Sequence, residues 1–226
     1  MRLRTPRSEA AAAFAAAGRP DPRTPWREAR WCAIDLELTG LDPANDEIIA
    51  IGAMPIDQGR LILGESRYTL VRTERRSEHD AVLMHKLRVA DLADAPPLEQ
   101  GVELLLELLS GRVPVFHTAV VERTFLAPLF SQLRVRLPAA ADTEVLGRLF
   151  LQQRDGTAPP RLALATLLKV LGQSGEAPHH ALADALCTAQ AFIALASRLE
   201  ATQPQTVGSL LRADNWLASA RRFGVV

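Results

Sequence analysis

Residues 31–41 constrain the chain more than any other stretch. The apolar run Trp31-Cys32-Ala33-Ile34 leads into two carboxylates one residue apart, Asp35 and Glu37, and Leu38-Thr39-Gly40-Leu41 follows as a turn. In a β-strand the side chains alternate, so Asp35 and Glu37 share a face with Ala33, while Ile34, Leu36 and Leu38 take the other. Two like charges that close repel unless a cation or a shared proton lies between them. One reading is half of a divalent-metal site on a buried strand. The other is the polar, outward face of an antiparallel strand. The spacing alone does not separate them.

The rest of the pattern says what surrounds this strand. A second strand is expected over 47–56, with a hairpin turn Asp57-Gln58-Gly59-Arg60 leading to a third over 61–71, an antiparallel meander. Leu41-Asp42-Pro43-Ala44-Asn45-Asp46 is turn chemistry. Beyond the charged loop 72–80 the apolar period changes from two to about 3.6. Short helical pieces over 81–92 precede an amphipathic helix over 98–109, entered through Pro96-Pro97. A short strand at 113–117 is followed by helices at 123–133, 144–152, 162–171 and 181–199. Asp142 or Thr143 caps the second of these, and Gly172 stops the third. Antiparallel strands followed by a strand between helices predict an α/β domain, a mixed sheet with helices on both faces.

Outside the core of 30–200, residues 1–29 read as an Ala-rich helix capped by Ser8 and a breaker-rich linker. Arg2, Arg4 and Arg7 ahead of the Ala run give this end a signal-peptide flavour, but Glu9 interrupts it and the helix is the preferred reading. Residues 201–226 form a C-terminal helical extension around Leu210, Leu211, Trp216 and Leu217.

Composition narrows the class. The 226 residues suit one domain with extensions, and 48% apolar with 23% charged residues is globular. A formal net charge of zero means that a polyanion must be held by a local basic patch or by metal. The loop 72–76, with Arg123, Arg154 and Arg161, offers candidate phosphate contacts. Cys32 and Cys187 are too few for a disulfide framework or a Cys-type zinc site, and buried reduced thiols fit a cytoplasmic location. No apolar run is expected to reach the length of a membrane span, so no membrane partner is expected.

Two further stretches carry candidate chemistry. The strand ending at His117 leads through Thr118-Ala119 to Glu122 at the opening of the next helix. An acid there is also what the helix macrodipole favours without any catalytic role. Later, His179-His180-Ala181-Leu182-Ala183-Asp184 opens the longest helix. Spacing of four pairs His180 with Asp184 on one helix face, whereas His179 meets Asp184 only from the loop before it.

Taken in order, these stretches resemble the DEDD family of 3′-to-5′ exonucleases. The branch is the one with histidine in its third motif, which includes the epsilon subunit of bacterial DNA polymerase III, RNase T and oligoribonuclease. Asp35-Leu36-Glu37-Leu38-Thr39-Gly40 is similar to D-x-E-x-T-G. His117-Thr118-Ala119 with Phe125-Leu126 is similar to H-N-A-x-F-D and its apolar helix, and His179 through Ala185 to H-x-A-x-x-D-A. Asp142-Thr143 matches a D-T that commonly stands between the second and third motifs.

The resemblance implies an RNase H-like fold with a five-stranded mixed sheet, antiparallel 3-2-1 and then parallel. It implies a metal-dependent 3′-to-5′ exonuclease that trims single-stranded DNA or short RNA to nucleoside 5′-monophosphates. Two divalent cations, Mg2+ or Mn2+, would be held by Asp35, Glu37, Glu122 and Asp184. His179, in preference to His180, would be the general base. Leu38, Thr39, Gly40, Leu41 and His117 would meet the terminal nucleotide. A polymerase or a second copy of the chain are the macromolecular partners it raises. Thr118 stands where the family has Asn, and Glu122 where it has Asp. The extra methylene bears on the second metal, so the alternative is a catalytically weakened module that binds nucleic acid or a polymerase partner.

Overall fold

The computed structural model describes residues 6–75, 86–173 and 179–212. Strand β1 (Trp31–Leu38) is central, pairing antiparallel with β2 (Ile48–Asp57) and parallel with β5 (Val113–Phe116). Beyond β5 lies β6 (Ala141–Asp142), also parallel. On its far side β2 carries both β3 (Arg60–Leu61) and β4 (Arg67–Leu70), each antiparallel. The described sheet thus has six strands where five were expected. The expected third strand is cut in two by a 3-10 turn, Leu63–Glu65, where Gly64 has no side chain to pack and the Ser66 hydroxyl donates to the Leu63 carbonyl at 2.7 Å. The β2–β3 hairpin turns through Gln58 and Gly59, at φ +50° and +69°, which matches the twist of paired strands.

The helices are α1 (Glu9–Ala16), α2 (Val89–Leu92), α3 (Leu98–Leu109) and α4 (Val120–Gln132) on the first part of the chain. They are followed by α5 (Thr143–Asp155), α6 (Leu164–Leu171), α7 (Ala181–Glu200) and α8 (Val207–Leu211). One face of the sheet, bearing Ile34, Leu36, Leu38 and Phe116, packs on Ala11, Leu105, Leu106, Leu126 and Phe130 from α1, α3 and α4. The opposite face, bearing Trp31, Ala33, Met54 and Val115, packs on Leu146, Leu167, Phe192 and Leu195 from α5, α6 and α7. Asp35 and Glu37 belong to this second face, which α7 covers. The outward polar-face reading of the two acids therefore fails.

Both ends of the described chain pack on this core. Phe14 meets Phe130 edge-on at 5.7 Å, and the Trp31 indole donates to the Trp26 carbonyl at 2.8 Å. Pro25 bridges Thr206, and the Gly208 amide donates to the Pro22 carbonyl at 2.7 Å, which ties the linker to α8. Trp216, Leu217, Arg76 and the start of the 81–92 pieces lie outside the described residues. Helix α7 spans 20 residues with mean hydropathy 1.3, long and apolar enough by composition to cross a membrane, which corrects the expectation that no run reaches that length. Half of that stretch is buried in the fold, as suits a core helix. Cys32 and Cys187 are both free and buried, and burial pushes the Cys32 thiol up to about 12.

Candidate functional site

Register builds the site. Asp35 on β1 lies opposite Gly52 on β2, and Gly52 lies opposite Tyr68 on β4, so the three form one row on the α7 face. Gly52 leaves a gap in that row, and the first turn of α7 fills it. A Cβ at Gly52 would stand 2.2 Å from the carbonyl carbon of Ala181. Docked there, α7 carries Asp184 over β1, and oxygens of Asp35, Glu37 and Asp184 all lie within 4.8 Å of one another. Glu122 comes in from the first turn of α4 and is buried, as is Asp184.

The electrostatics of this cluster run in one direction. The Asp35 carboxyl is held well above the usual carboxylate range, first by burial and then by the charges of Glu122, Asp184 and Glu37. Burial and then Asp184 push Glu37 up to about 7. Glu122 is pushed up to about 8 by burial, with Asp142 adding and its own backbone N–H opposing. Asp184 is raised by burial, against the charges of His179 and then His180. Glu122 stands outside the three-residue cluster, and its charge adds to the upward push on Asp35.

Among the described residues no Arg or Lys forms an ion pair with any of these four acids. Glu37 Oε1, Glu122 Oε2 and Asp184 Oδ1 are buried without a hydrogen-bond partner. Buried, unpaired carboxylate oxygens facing one another cost free energy unless a cation satisfies them. Hard divalent cations take oxygen ligands of this kind. The donor set fits such a metal.

The other predicted residues divide. His179 is exposed, with φ +50°, in the loop that enters α7. His180 is the N-cap of α7, and its ring stacks on Tyr68 with centroids 4.4 Å apart and planes at 23°. Leu38 points into the opposite core. Thr39 is fully buried, and its hydroxyl donates to Asp46 Oδ1 at 2.9 Å while accepting the Glu47 amide at 3.0 Å. Gly40 lies against Asp46, where a Cβ would come within 2.5 Å of Oδ2. Leu41 is 73% exposed. His117 is half-buried behind the loop, its Nδ1 at 2.9 Å from Thr143 Oγ1. Because that hydroxyl also donates to the Phe116 carbonyl at 3.2 Å, Nδ1 is assigned the proton. Burial lowers the His117 pKa, against the pull of Asp142 and Glu144.

Three features escaped the reading of the sequence. An isolated Gly inside the β-rich run Ile48-Ile49-Ala50-Ile51-Gly52 signals close backbone approach, and that signal was available. Asp142 does more than cap α5, since its carboxylate also accepts the amides of Thr118 at 3.2 Å and Ala119 at 2.8 Å. No local signal marks the Tyr68–His180 stack. Of the predicted phosphate contacts, Arg123 and Arg161 line a groove of about 740 Å³ with Thr118, Asp142, Glu144 and Arg148, apart from the acid cluster. Arg154 is instead paired with Asp155 at 2.6 Å.

The sheet carries three clustered acids, Asp35, Glu37 and Asp184, on its α7 face, with Glu122 entering from α4, and the comparisons identify the class as exonuclease. The profile of the RNase T-type exonuclease family matches residues 32–192, and the chain belongs to that family. A DNA polymerase III subunit epsilon-like protein of Rhodobacter capsulatus is 31% identical over 191 residues, 83% of this chain and 27% of the relative. The DNA polymerase III subunit epsilon of Rickettsia typhi is 27% identical over 176 residues, 75% of each chain. A PolC-type DNA polymerase III of Thermotoga petrophila matches at 28% over 74% of this chain. The chain spans 27% of the Rhodobacter relative and 12% of that polymerase.

The fold is that of E. coli Exonuclease I solved with a dA16 oligonucleotide (TM-score 0.63, 16% identity, 76% of this chain and 42% of that one). Exonuclease X, solved with 5′ overhanging duplex DNA, is similar as well (TM-score 0.59, 20% identity, 81% and 98%).

Proposed function

We propose that the chain is a 3′-to-5′ exonuclease that removes nucleoside 5′-monophosphates one at a time from single-stranded DNA or short RNA. The observation that carries this reading is the cluster of Asp35, Glu37 and Asp184, three carboxylates within 4.8 Å with buried oxygens lacking partners. Asp35, Glu37 and Asp184, with Glu122 nearby, would hold two divalent cations, Mg2+ or Mn2+. Such ions polarise a phosphoryl oxygen and offset the charge that develops there.

The chain's own groups do the rest. His179, exposed before α7, takes the proton from the attacking water, for which an imidazole is suited near neutral pH. The exposed Leu41 offers an apolar surface to the terminal base, and the Gly40 main chain borders the sugar. Thr39 acts indirectly, because its hydroxyl is spent on closing the loop that presents Gly40 and Leu41. His117 bonds Thr143, next to Asp142, and the Asp142 carboxylate holds the Thr118 and Ala119 amides ahead of Glu122. The names of the relatives support association with a polymerase, and that of Exonuclease I with dA16 supports a single strand as ligand.

A second reading, a weakened nuclease that serves as a nucleic-acid or polymerase-partner binding module, is favoured by one observation. Glu122 does not join the three-residue cluster. Polarity of digestion separates the readings. Linear strands labelled at the 5′ end should shorten progressively with Mg2+ or Mn2+ and release mononucleotides, whereas a strand blocked at its 3′ end should persist. Binding without shortening, with either metal on DNA and RNA alike, would leave the module reading.

A further inference from the structure

We propose that Tyr68 is a positioning residue: by holding the ring of His180 it fixes the His179–His180 pivot that aims His179 at the carboxylate cluster. The inference rests on the exonuclease reading above. Spacing along a helix would give the position beside Asp184 to His180, four residues earlier. In the structure His180 is drawn elsewhere. Its ring lies nearly parallel to that of Tyr68, 4.4 Å between centroids, on the edge strand β4. Stacked rings at that separation attract one another beyond the area that they bury.

The row Asp35–Gly52–Tyr68 explains why this contact bears on catalysis. The backbone of Ala181 drops into the gap at Gly52, with Asp35 on one side and Tyr68 on the other. His180, one residue before Ala181, meets the Tyr68 wall. Asp184, one turn later, meets the Asp35 wall. The chain direction at the entrance to α7 is thus fixed on both sides. His179 stands just before this held residue, with a left-handed backbone at φ +50°. Tyr68 is 36% exposed and belongs to neither of the two apolar cores.

The test compares Tyr68→Phe and Tyr68→Leu with wild type, each also in a His179→Ala background, on 5′-labelled single-stranded DNA with Mn2+. Phe keeps the stack, so Tyr68→Phe is expected within about twofold of wild type in kcat. Leu abolishes it, and kcat is expected to fall about tenfold with KM little changed, a loss within the range of a misplaced base. In the His179→Ala background the Leu change is expected to have no further effect. Calorimetric Mn2+ affinity of Tyr68→Leu is expected to match wild type, and its melting temperature to fall by no more than a few degrees, the loss of the stack itself.

A rise in KM in both backgrounds would overturn the proposal in favour of a direct contact with a base. So would a kcat loss that persists without His179, or a loss of Mn2+ affinity. Wild type that shortens no strand overturns the exonuclease reading itself. In that case the upfield ring-current shift of the His180 imidazole protons, kept in Tyr68→Phe and lost in Tyr68→Leu, still reports whether the stack holds the pivot.

Discussion

Gly52 and Ala181 are in backbone contact: the space that a Cβ on Gly52 would occupy is filled by the Ala181 carbonyl, 2.2 Å away. This single approach sets the height of α7 above β1, and with it the distance from Asp184 to Asp35 and Glu37. A methyl group there meets backbone, which cannot rotate aside, so Gly52→Ala has to push the helix end outward. Such overpacking costs about 1–3 kcal/mol. The variant is expected to melt at a lower temperature, to bind Mn2+ more weakly in calorimetry and to lose nuclease activity out of proportion to its stability. Wild-type affinity for Mn2+ in Gly52→Ala would mean that Asp184 is positioned by something else.

Proton release should accompany metal binding. Burial pushes Glu37 up to about 7 and Glu122 up to about 8 in the folded chain, against an ordinary 4.5. Between those limits the folded, metal-free chain holds protons that the unfolded chain has released. Its stability therefore falls as pH rises through that window. A cation competes with those protons, so the stabilisation that it confers grows over the same range. Melting curves in chelator and in Mn2+, at half-unit steps from about pH 5 to about pH 8.5, should diverge with rising pH. Parallel curves would show that the acids are not titrating together with metal.

Glu122 separates an active second metal position from a simple helix-start acid. If it is a ligand, Glu122→Ala should lower nuclease activity by about 10- to 100-fold, the scale on which metal-site partners act. Glu122→Asp should keep most of it. Full activity in the Ala variant would leave Glu122 with the macrodipole role only.

Thr118 sits at φ +60°, a left-handed conformation that a β-branched residue adopts with strain and that Asn adopts more readily. Its hydroxyl donates to Glu144 Oε2 at 2.9 Å, which offsets part of that cost. Asn can make the same bond from its amide. Thr118→Asn is therefore expected to raise stability by about 1 kcal/mol in denaturant titration, and Thr118→Val to lower it. An unchanged midpoint in both would remove strain from the picture of this loop.

What the sequence revealed depended on distance along the chain. The Ser8 cap, the Gln58-Gly59 turn and the Gly172 stop are local chemistry and are found as read, and of the two caps open at 142 and 143 the structure uses Asp142. The alternation across Ile34, Asp35, Leu36 and Glu37 placed the acids on one face, though only the position of α7 decides that this face is covered. Ordered motifs then supplied the link between Asp35 and Asp184 that spacing could not. The Tyr68–His180 stack and the amides of Thr118 and Ala119 on Asp142 depend on which distant elements become neighbours, and no local pattern encodes them. The internal bonding of Thr39 was hidden for the same reason, since Asp46 returns across a loop to meet it.

The most direct test of the carboxylate site is Asp35→Asn beside wild type, on a 5′-labelled single strand with Mn2+, at matched concentration and with matching circular dichroism. The charges of Glu122, Asp184 and Glu37 all bear on Asp35. Wild type is expected to produce a ladder of strands shortened from the 3′ end, and Asp35→Asn none. Equal ladders from both proteins would contradict a catalytic metal site at Asp35, Glu37 and Asp184.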